Sequence, residues 1–129
     1  DPLPEWMRGR TALLGDACHP TLPFLAQGAV MAIEDGYVLA DCLAQSADTP
    51  EAALQRYVAL RHKRTSAVVD GASANTGRFH NAALSDPTQA IAYVEREWQP
   101  DKVRQRYDWL FEYDAIRAAS ATATALSEI

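Results

Sequence analysis

Apolar residues recur with helical spacing through most of the chain beyond its first quarter. Across residues 27–45, Ala32 and Leu39 fall on one face of a helix, whereas Ile33 and Tyr37 fall on a second. The pattern therefore predicts a helix over residues 27–45 that is buried on two sides.

Prolines mark the starts of the later helices. Thr49 precedes Pro50, and Asp86 precedes Pro87, which is the order of a helix N-cap followed by a proline in the first turn. Pro100 interrupts the next apolar repeat, because the residue before a proline avoids helical geometry. We predict further helices from residue 50 to the region 71–77, from 87 to 98 and from about 101 onward.

The chain before these helices is irregular. Residues 1–10 are predicted to form a loop, and residues 11–14 are a short apolar run that Gly15 and Asp16 end. So short a strand needs backbone partners, either from a second copy or from residues outside this sequence. The expected fold class is mostly α with one residual β-strand.

Two groups of charged residues receive different interpretations. Asp35 shares a helix face with Ala32, Leu39 and Cys42, where a carboxylate is costly unless it is paired or hydrogen-bonded. By contrast, the run Arg61-His62-Lys63-Arg64 is typical of a solvated helix face.

Composition places limits on the class of protein. With 129 residues, 48% hydrophobic, the chain has room for one domain. Its net charge of −5 argues against binding to nucleic acid or to an anionic membrane surface, and residues 17–33 are too interrupted to span a bilayer. The two cysteines are expected to be reduced thiols in a cytoplasmic protein. We expect a domain over residues 1–117 and a disordered Ala/Ser/Thr tail over residues 118–129.

Candidate chemistry is concentrated between Gly15 and Gly28. A strand ending in Gly15-Asp16, a proline-rich loop and a helix opening at Gln27-Gly28 together form a device for binding a polar or anionic ligand, because first-turn amides lack partners. The alternative is a plain turn followed by close helix packing, and the spacing leaves both open. Cys18-His19 lacks a second ligand pair, so no metal site is expected.

This segment resembles the second flavin-contacting motif of the single-component FAD-dependent aromatic hydroxylases, above all their salicylate, 3-hydroxybenzoate and 6-hydroxynicotinate branch. The matching residues are Gly15-Asp16-Ala17-Cys18-His19-Pro20, Pro23, Ala26-Gln27-Gly28, Ala32, Glu34-Asp35, Leu39-Ala40 and Leu43. The resemblance implies the C-terminal part of an α/β FAD-binding monooxygenase fold. No Gly-x-Gly-x-x-Gly cradle occurs in the sequence, so a missing N-terminal part of the parent chain is an expected partner.

The resemblance also implies residue roles. Asp16 would accept a hydrogen bond from the ribityl chain, and the amides near Gly28 would face the flavin pyrimidine edge. The implied cofactor-binding residues are Gly15, Asp16, Pro23, Gln27, Gly28 and Ala29. The implied catalytic residues are His19, Pro23 and Gln27. Pro23 would form part of the wall of the reaction site, whereas His19 and Gln27 would reach toward the substrate. Asp35 would hold the loop.

The implied reaction is hydroxylation of a hydroxylated aromatic or N-heteroaromatic acid, with FAD as cofactor, NADH or NADPH as reductant and O2 as oxidant. This chain would be inactive in isolation. The alternative is a non-catalytic helical interaction or dimerisation domain that retains a relic of the flavin motif. A two-sided apolar helix motivates it, because such a face favours homo-oligomers.

Overall fold

The computed structural model describes residues 2–46 and 48–120, which fold mainly into helices. The strands are β1 (Met7–Arg8) and β2 (Thr11–Ala12), and the helices are α1 (Gly28–Gln45), α2 (Pro50–Phe79), α3 (Pro87–Glu97), α4 (Pro100–Phe111) and α5 (Ala115–Ala119). Single 3₁₀ turns form the Gly15 turn (Gly15–Ala17), the Pro23 turn (Pro23–Leu25) and the segment Ala82–Ser85. Within these described ranges, no helix combines the length and apolar character that crossing a membrane requires.

The two strands form a small antiparallel hairpin. Met7 pairs with Ala12 and Arg8 pairs with Thr11, around a turn in which Gly9 has a φ of 57°. The prediction of one strand over residues 11–14 with a partner elsewhere was therefore wrong. The partner strand lies within residues 1–10, which were predicted to form a loop. A strand of two residues is too short to show an alternating pattern, so it could not be recognised from the sequence.

The helical core forms where α1 packs on α2. Two clusters of buried apolar side chains fill this interface, and partly buried residues of the hairpin and of α4 and α5 cover them. The first cluster contains Trp6, Cys18, Val38, Cys42, Ala53, Tyr57, Leu60 and Ala119, and the second contains Met31, Val68 and Leu110. Both cysteines are buried and unpaired.

Helix α1 is buried on one side rather than two. Its interior face carries Met31, Asp35, Val38 and Cys42. Ile33, on the other apolar face, is 74% exposed, and its neighbours Val30 and Tyr37 are also exposed. The sequence correctly predicted the helix, but the expectation that both apolar faces are covered was wrong within the described residues.

Helices α2 and α3 begin at the predicted prolines, but only one of the two predicted N-cap residues caps its helix through the side chain. The side chain of Asp86 accepts a hydrogen bond from the Gln89 amide at the start of α3, as expected for an N-cap. Thr49 makes no such side-chain bond before α2; instead, its carbonyl oxygen accepts hydrogen bonds from Ala52 and Ala53. Helix α2 is 30 residues long and ends at Phe79, slightly beyond the predicted region.

The predicted boundary between residues 117 and 118 falls inside α5. Asp114 caps this helix, and Ala119 is buried while its carbonyl oxygen accepts a hydrogen bond from Arg56 Nη2 at 2.8 Å. The predicted tail over residues 118–129 thus begins with residues that pack on α2. Its remainder, residues 121–129, lies outside the described residues.

Candidate functional site

The residues proposed from the sequence gather where the Gly15 turn, the Pro23 turn and the first turn of α1 meet. The Asp16, Pro23 and Ala29 residues are exposed, Gln27 and Gly28 are half-buried, and Gly15 is buried. The fold therefore brings all six proposed cofactor-binding residues to one end of α1, with the polar Asp16 side chain at its surface.

The Asp16 carboxylate lies beside Gly28, the first residue of α1. A Cβ atom added at Gly28 would lie 3.4 Å from Thr21 Cγ2 and 3.8 Å from Asp16 Oδ1. The carboxylate thus stands within one side-chain width of the helix backbone. These are ordinary van der Waals distances, so the exposed Asp16 carboxylate lies directly beside the first turn of α1.

The first turn of α1 has no internal cap. Gln27 is the N-cap residue, yet its side chain makes no capping bond, and no acidic side chain occupies the first turn. The first amides of an α-helix have no intrahelical acceptor, and the helix dipole favours negative charge beside them. Ala26 adopts a left-handed conformation with φ 53° immediately before this turn, which redirects the chain into the helix.

Gly15 fixes the orientation of Asp16. Its φ is 62°, which favours glycine, and an added Cβ would lie only 3.2 Å from Ala32 Cβ of α1. Its amide donates a hydrogen bond of 3.0 Å to Asp35 Oδ2. Close packing on α1 and a bond to a buried carboxylate therefore hold the turn that carries Asp16.

Asp35 is the centre of a fully buried polar network. His19 Nε2 lies 2.6 Å from Asp35 Oδ2, and Arg61 Nε donates to Asp35 Oδ1 at 2.7 Å. Burial by itself raises the pKa of Asp35, but the hydrogen bonds from His19 and Arg61 outweigh it, so the pKa lies below its usual value. The carboxylate is therefore ionised at neutral pH, and it joins α1 and α2 to the Gly15 turn.

Arg61 is buried, which corrects the prediction of a solvated helix face. Besides Asp35, its guanidinium donates to Glu34 Oε2 at 2.7 Å, to the Tyr113 hydroxyl at 2.8 Å and to the Met31 carbonyl oxygen at 3.4 Å. Burial by itself lowers the pKa of Arg61, but the neighbouring Tyr113, Asp35 and Glu34 raise it by more. The pKa therefore lies above its usual value, and the guanidinium stays charged.

A sequence signal for the burial of Arg61 existed. Arg61 stands four residues after Tyr57 and seven before Val68, both of them buried on the interior face of α2. Helical spacing therefore placed Arg61 on the apolar stripe, although the adjacent basic residues suggested otherwise.

His19 points into the protein rather than toward the surface beside Asp16. Its imidazole is fully buried, binds Asp35 through Nε2 and packs against Trp6, with ring centroids 5.3 Å apart. Its Nδ1 atom has no hydrogen-bond partner in the part of the chain that the structure describes. Of the proposed catalytic residues, Pro23 and Gln27 thus lie near the exposed site, whereas His19 lies behind it.

Cys18, His19 and Asp35 form a buried cluster whose potential ligand atoms all lie within 4.8 Å of one another. Burial, followed by the charge on Asp35, raises the pKa of the Cys18 thiol to about 11, and the thiol donates to the Gly15 carbonyl oxygen. Both Asp35 oxygens already accept bonds from cationic or N–H donors. A neutral thiol next to a guanidinium-paired carboxylate fits a structural cluster better than a cation site.

Comparison with known proteins matches much of this chain to an FAD-binding family and to monooxygenases. Residues 3–72 match the family described as FAD binding domain. The chain is 49% identical over 94 residues to a 6-hydroxynicotinate 3-monooxygenase of Pseudomonas fluorescens, and 35% identical over 125 residues to 3-hydroxybenzoate 6-hydroxylase 2 of Aquipseudomonas alcaligenes. It is also 45% identical over 83 residues to an aurachin C monooxygenase/isomerase of Stigmatella aurantiaca.

These matches cover most of this chain but a small part of each relative. The match to the 6-hydroxynicotinate 3-monooxygenase covers 72% of this chain and 24% of the relative, and the match to 3-hydroxybenzoate 6-hydroxylase 2 covers 93% and 37%. The match to the aurachin C monooxygenase/isomerase covers 63% of this chain and 21% of the relative. The chain therefore spans well under half the length of the curated relatives it matches. The family match covers more than half of the chain and includes the Gly15 turn, the Pro23 turn and α1, which confirms the resemblance noted from the sequence. The chain belongs to the FAD-binding-domain family.

Proposed function

We propose that this chain supplies the ribityl- and pyrimidine-binding part of an FAD site in an aromatic monooxygenase. The observation that carries the proposal is the exposed Asp16 carboxylate beside the uncapped first turn of α1, which begins at Gly28 in close contact with it. A ribityl chain is a row of hydroxyl donors, and the pyrimidine edge of a flavin carries carbonyl and ring-nitrogen acceptors beside one N–H donor. The two halves of the site fit these two parts of FAD.

The chain's own residues would act on the cofactor through hydrogen bonds and charge. Asp16 accepts from a ribityl hydroxyl, while the amides of Gln27, Gly28 and Ala29 donate toward the pyrimidine edge. FAD, when bound, supplies the redox chemistry, accepting electrons from NADH or NADPH and activating O2. Because the helix dipole favours negative charge at this end, α1 stabilises the reduced cofactor relative to the oxidised one.

The remaining proposed residues shape the site. Pro23 forms part of the wall beside the substrate ring, and Gln27 extends toward the ring from the start of α1. His19 acts differently: its buried imidazole supports a positioning role, in which it holds Asp35 and so the Gly15 turn, and not contact with the substrate.

The substrate class that we propose is a hydroxylated aromatic or N-heteroaromatic acid, hydroxylated with O2. Its support is the identity to relatives whose names specify 6-hydroxynicotinate and 3-hydroxybenzoate. The ADP-binding part of FAD has no Gly-x-Gly-x-x-Gly cradle in this sequence. A further segment, of the kind that makes up the rest of those relatives, would complete the site, and this chain alone would be inactive.

The replacement Asp16→Ala in the complete gene product tests the proposal. The variant is expected to lose FAD during purification, because the ribityl chain loses its acceptor. Asp108→Ala, at an exposed position of α4, is the matched control and is expected to keep FAD. The flavin-to-protein ratio, measured from absorbance after desalting, decides the question. A yellow Asp16→Ala protein with the wild-type ratio contradicts the assignment.

A second candidate function rests on the exposed apolar face of α1. Val30, Ile33 and Tyr37 form an uncovered stripe within the described residues, which favours a helical interaction or dimerisation domain that has kept a flavin-motif relic. Sedimentation of the protein with and without FAD separates the two candidates. Self-association without FAD binding supports the interaction domain, whereas stoichiometric FAD binding supports the flavoprotein.

A further inference from the structure

A buried amide at the far end of α2 is hydrogen-bonded to the Pro23 turn. Asn75 Nδ2 donates a hydrogen bond of 3.1 Å to the Phe24 carbonyl oxygen, and the Asn75 side chain is only 1% exposed. Its Oδ1 atom accepts from Tyr107 of α4 at 3.3 Å and from Arg78 of α2. The bonds to Oδ1 fix which end of the amide faces Phe24.

Close packing supports the same contact. A Cβ atom at Gly71, one helical turn before Asn75, would lie 3.1 Å from Leu25 Cδ1, so the absence of a side chain lets the Pro23 turn approach α2. The Phe24 ring stacks on Phe79, with centroids 5.8 Å apart. Backbone, aliphatic and aromatic contacts therefore all attach the turn to the last turns of α2.

The Pro23 turn depends on these contacts, because it buries none of its own residues. It closes on itself through a single bond, from the Ala26 amide to the Pro23 carbonyl oxygen at 3.1 Å. Ala26 then turns the chain, in its left-handed conformation, directly into Gln27 and α1. A shift at Phe24 is thereby transmitted to Pro23 on one side and to Gln27 on the other.

We propose that Asn75 is a positioning residue for the substrate side of the site: its amide sets the place of Pro23 and Gln27 through the Phe24 carbonyl group. The inference rests on the proposed function and extends it to a residue that lies 48 positions beyond Gln27 in sequence, outside the family match over residues 3–72. Asp16 is held by a different network, through Gly15 and Asp35. The Asp16 anchor for the cofactor and the Pro23 turn are thus held by separate buried groups, so FAD is expected to be retained through Asp16, Gly28 and Ala29 when the Pro23 turn shifts.

Asn75→Asp in the complete gene product isolates the contact. The replacement has the same shape and still accepts from Tyr107 and Arg78, but an ionised carboxylate cannot donate to Phe24 and repels its carbonyl oxygen. Tyr107→Phe is the matched control, because it removes another bond to Asn75 and leaves the bond to Phe24 intact. Ala53→Gly, at the opposite end of α2, controls for a general loss of stability.

The readouts are the flavin-to-protein ratio, kcat, KM and the fraction of consumed NADH or NADPH that yields hydroxylated product, with 6-hydroxynicotinate and 3-hydroxybenzoate as probes. We expect Asn75→Asp to keep FAD while kcat and the productive fraction fall by about tenfold or more, as for a misplaced reacting group. Tyr107→Phe and Ala53→Gly are expected to retain the productive fraction, since neither moves Phe24.

Should Asn75→Asp fail to fold, Gly71→Ala provides the second variant, because its added methyl group pushes on Leu25 and is expected to give the same loss with FAD retained. Wild-type protein that binds FAD, together with an Asn75→Asp variant whose productive fraction and kcat stay within about twofold of wild type, overturns the inference alone. A wild-type protein that binds no FAD overturns the proposed function and this inference with it.

Discussion

Arg61 Nε donates a hydrogen bond of 2.7 Å to Asp35 Oδ1, which joins α2 to α1 by a pair of fully buried opposite charges. A buried charge is tolerated only when its partners compensate the loss of water. Asp35 accepts from three donors, and Arg61 donates to four acceptors. The pair therefore specifies how the two helices meet and, through Gly15, where Asp16 stands.

Removal of Arg61 is predicted to be strongly destabilising. Arg61→Met leaves the Asp35 carboxylate buried without its cation, which is expected to cost about 3–5 kcal/mol of unfolding free energy. Arg61→Lys keeps the charge but not the forked geometry and is expected to cost less. Urea denaturation followed by circular dichroism measures both variants.

Arg104→Met is the matched control for this measurement. Arg104 pairs with Asp101 on the exposed surface of α4, so its loss is expected to cost less than about 1 kcal/mol. Equal costs for Arg61→Met and Arg104→Met would show that the buried network contributes no special stability.

The low pKa of Asp35 makes the stability depend on pH in a defined direction. Because its pKa is lower in the folded than in the unfolded protein, its contribution is complete above the unfolded value of about 3.9 and is lost as the pH falls through the folded value. Arg61→Lys weakens one cause of the lowered pKa, so its stability is expected to fall at a higher pH than that of the wild type. Urea titrations between about pH 7 and pH 3 test this. Parallel curves for the two proteins would contradict it.

Much of the helical fold could be predicted from the sequence because its signals are local. Residues 27–45 were predicted to be helical and Gly28–Gln45 is α1, since apolar periodicity and an opening Gln27-Gly28 need no distant partner. The hairpin was missed because β1 and β2 have only two residues each. The exposure of Ile33 could not be read from periodicity, which reports that a face is apolar and not what covers it.

Some features of the candidate site could also be predicted from the sequence, whereas others depend on distant contacts. The need of Asp35 for a partner was evident, because a carboxylate on an apolar helix face requires one. The partner itself, Arg61, was missed, since it lies 26 residues away among basic neighbours. Asn75 was given no role in the site, because its contact with the Pro23 turn arises only when α2 packs against that turn.

The Cys18 thiol is predicted to be unreactive in the folded protein. Burial, followed by the charge of Asp35, raises its pKa to about 11, so almost no thiolate forms near neutral pH, and Cys42 is also buried. A thiol reagent at about pH 7.5 is expected to modify neither residue in native protein and both in denaturant. Rapid native labelling that Cys18→Ala abolishes would contradict this prediction.

Gly15 links the stability of the fold to the site, and a pair of glycine replacements tests this link. Gly15→Ala forces a non-glycine residue to a φ of 62° and places a methyl group 3.2 Å from Ala32 Cβ, so we expect a loss of about 1–3 kcal/mol. Gly77→Ala, near the end of α2, meets no heavy atom within 4 Å and is expected to stabilise the protein by about 0.5–1 kcal/mol. Urea denaturation is expected to show opposite changes in the unfolding free energy of the two variants.

The turn that Gly15→Ala strains also carries Asp16. This variant is therefore further expected to weaken FAD retention, while Gly77→Ala leaves it unchanged. Destabilisation without any change in flavin content would separate the fold of the turn from its proposed role.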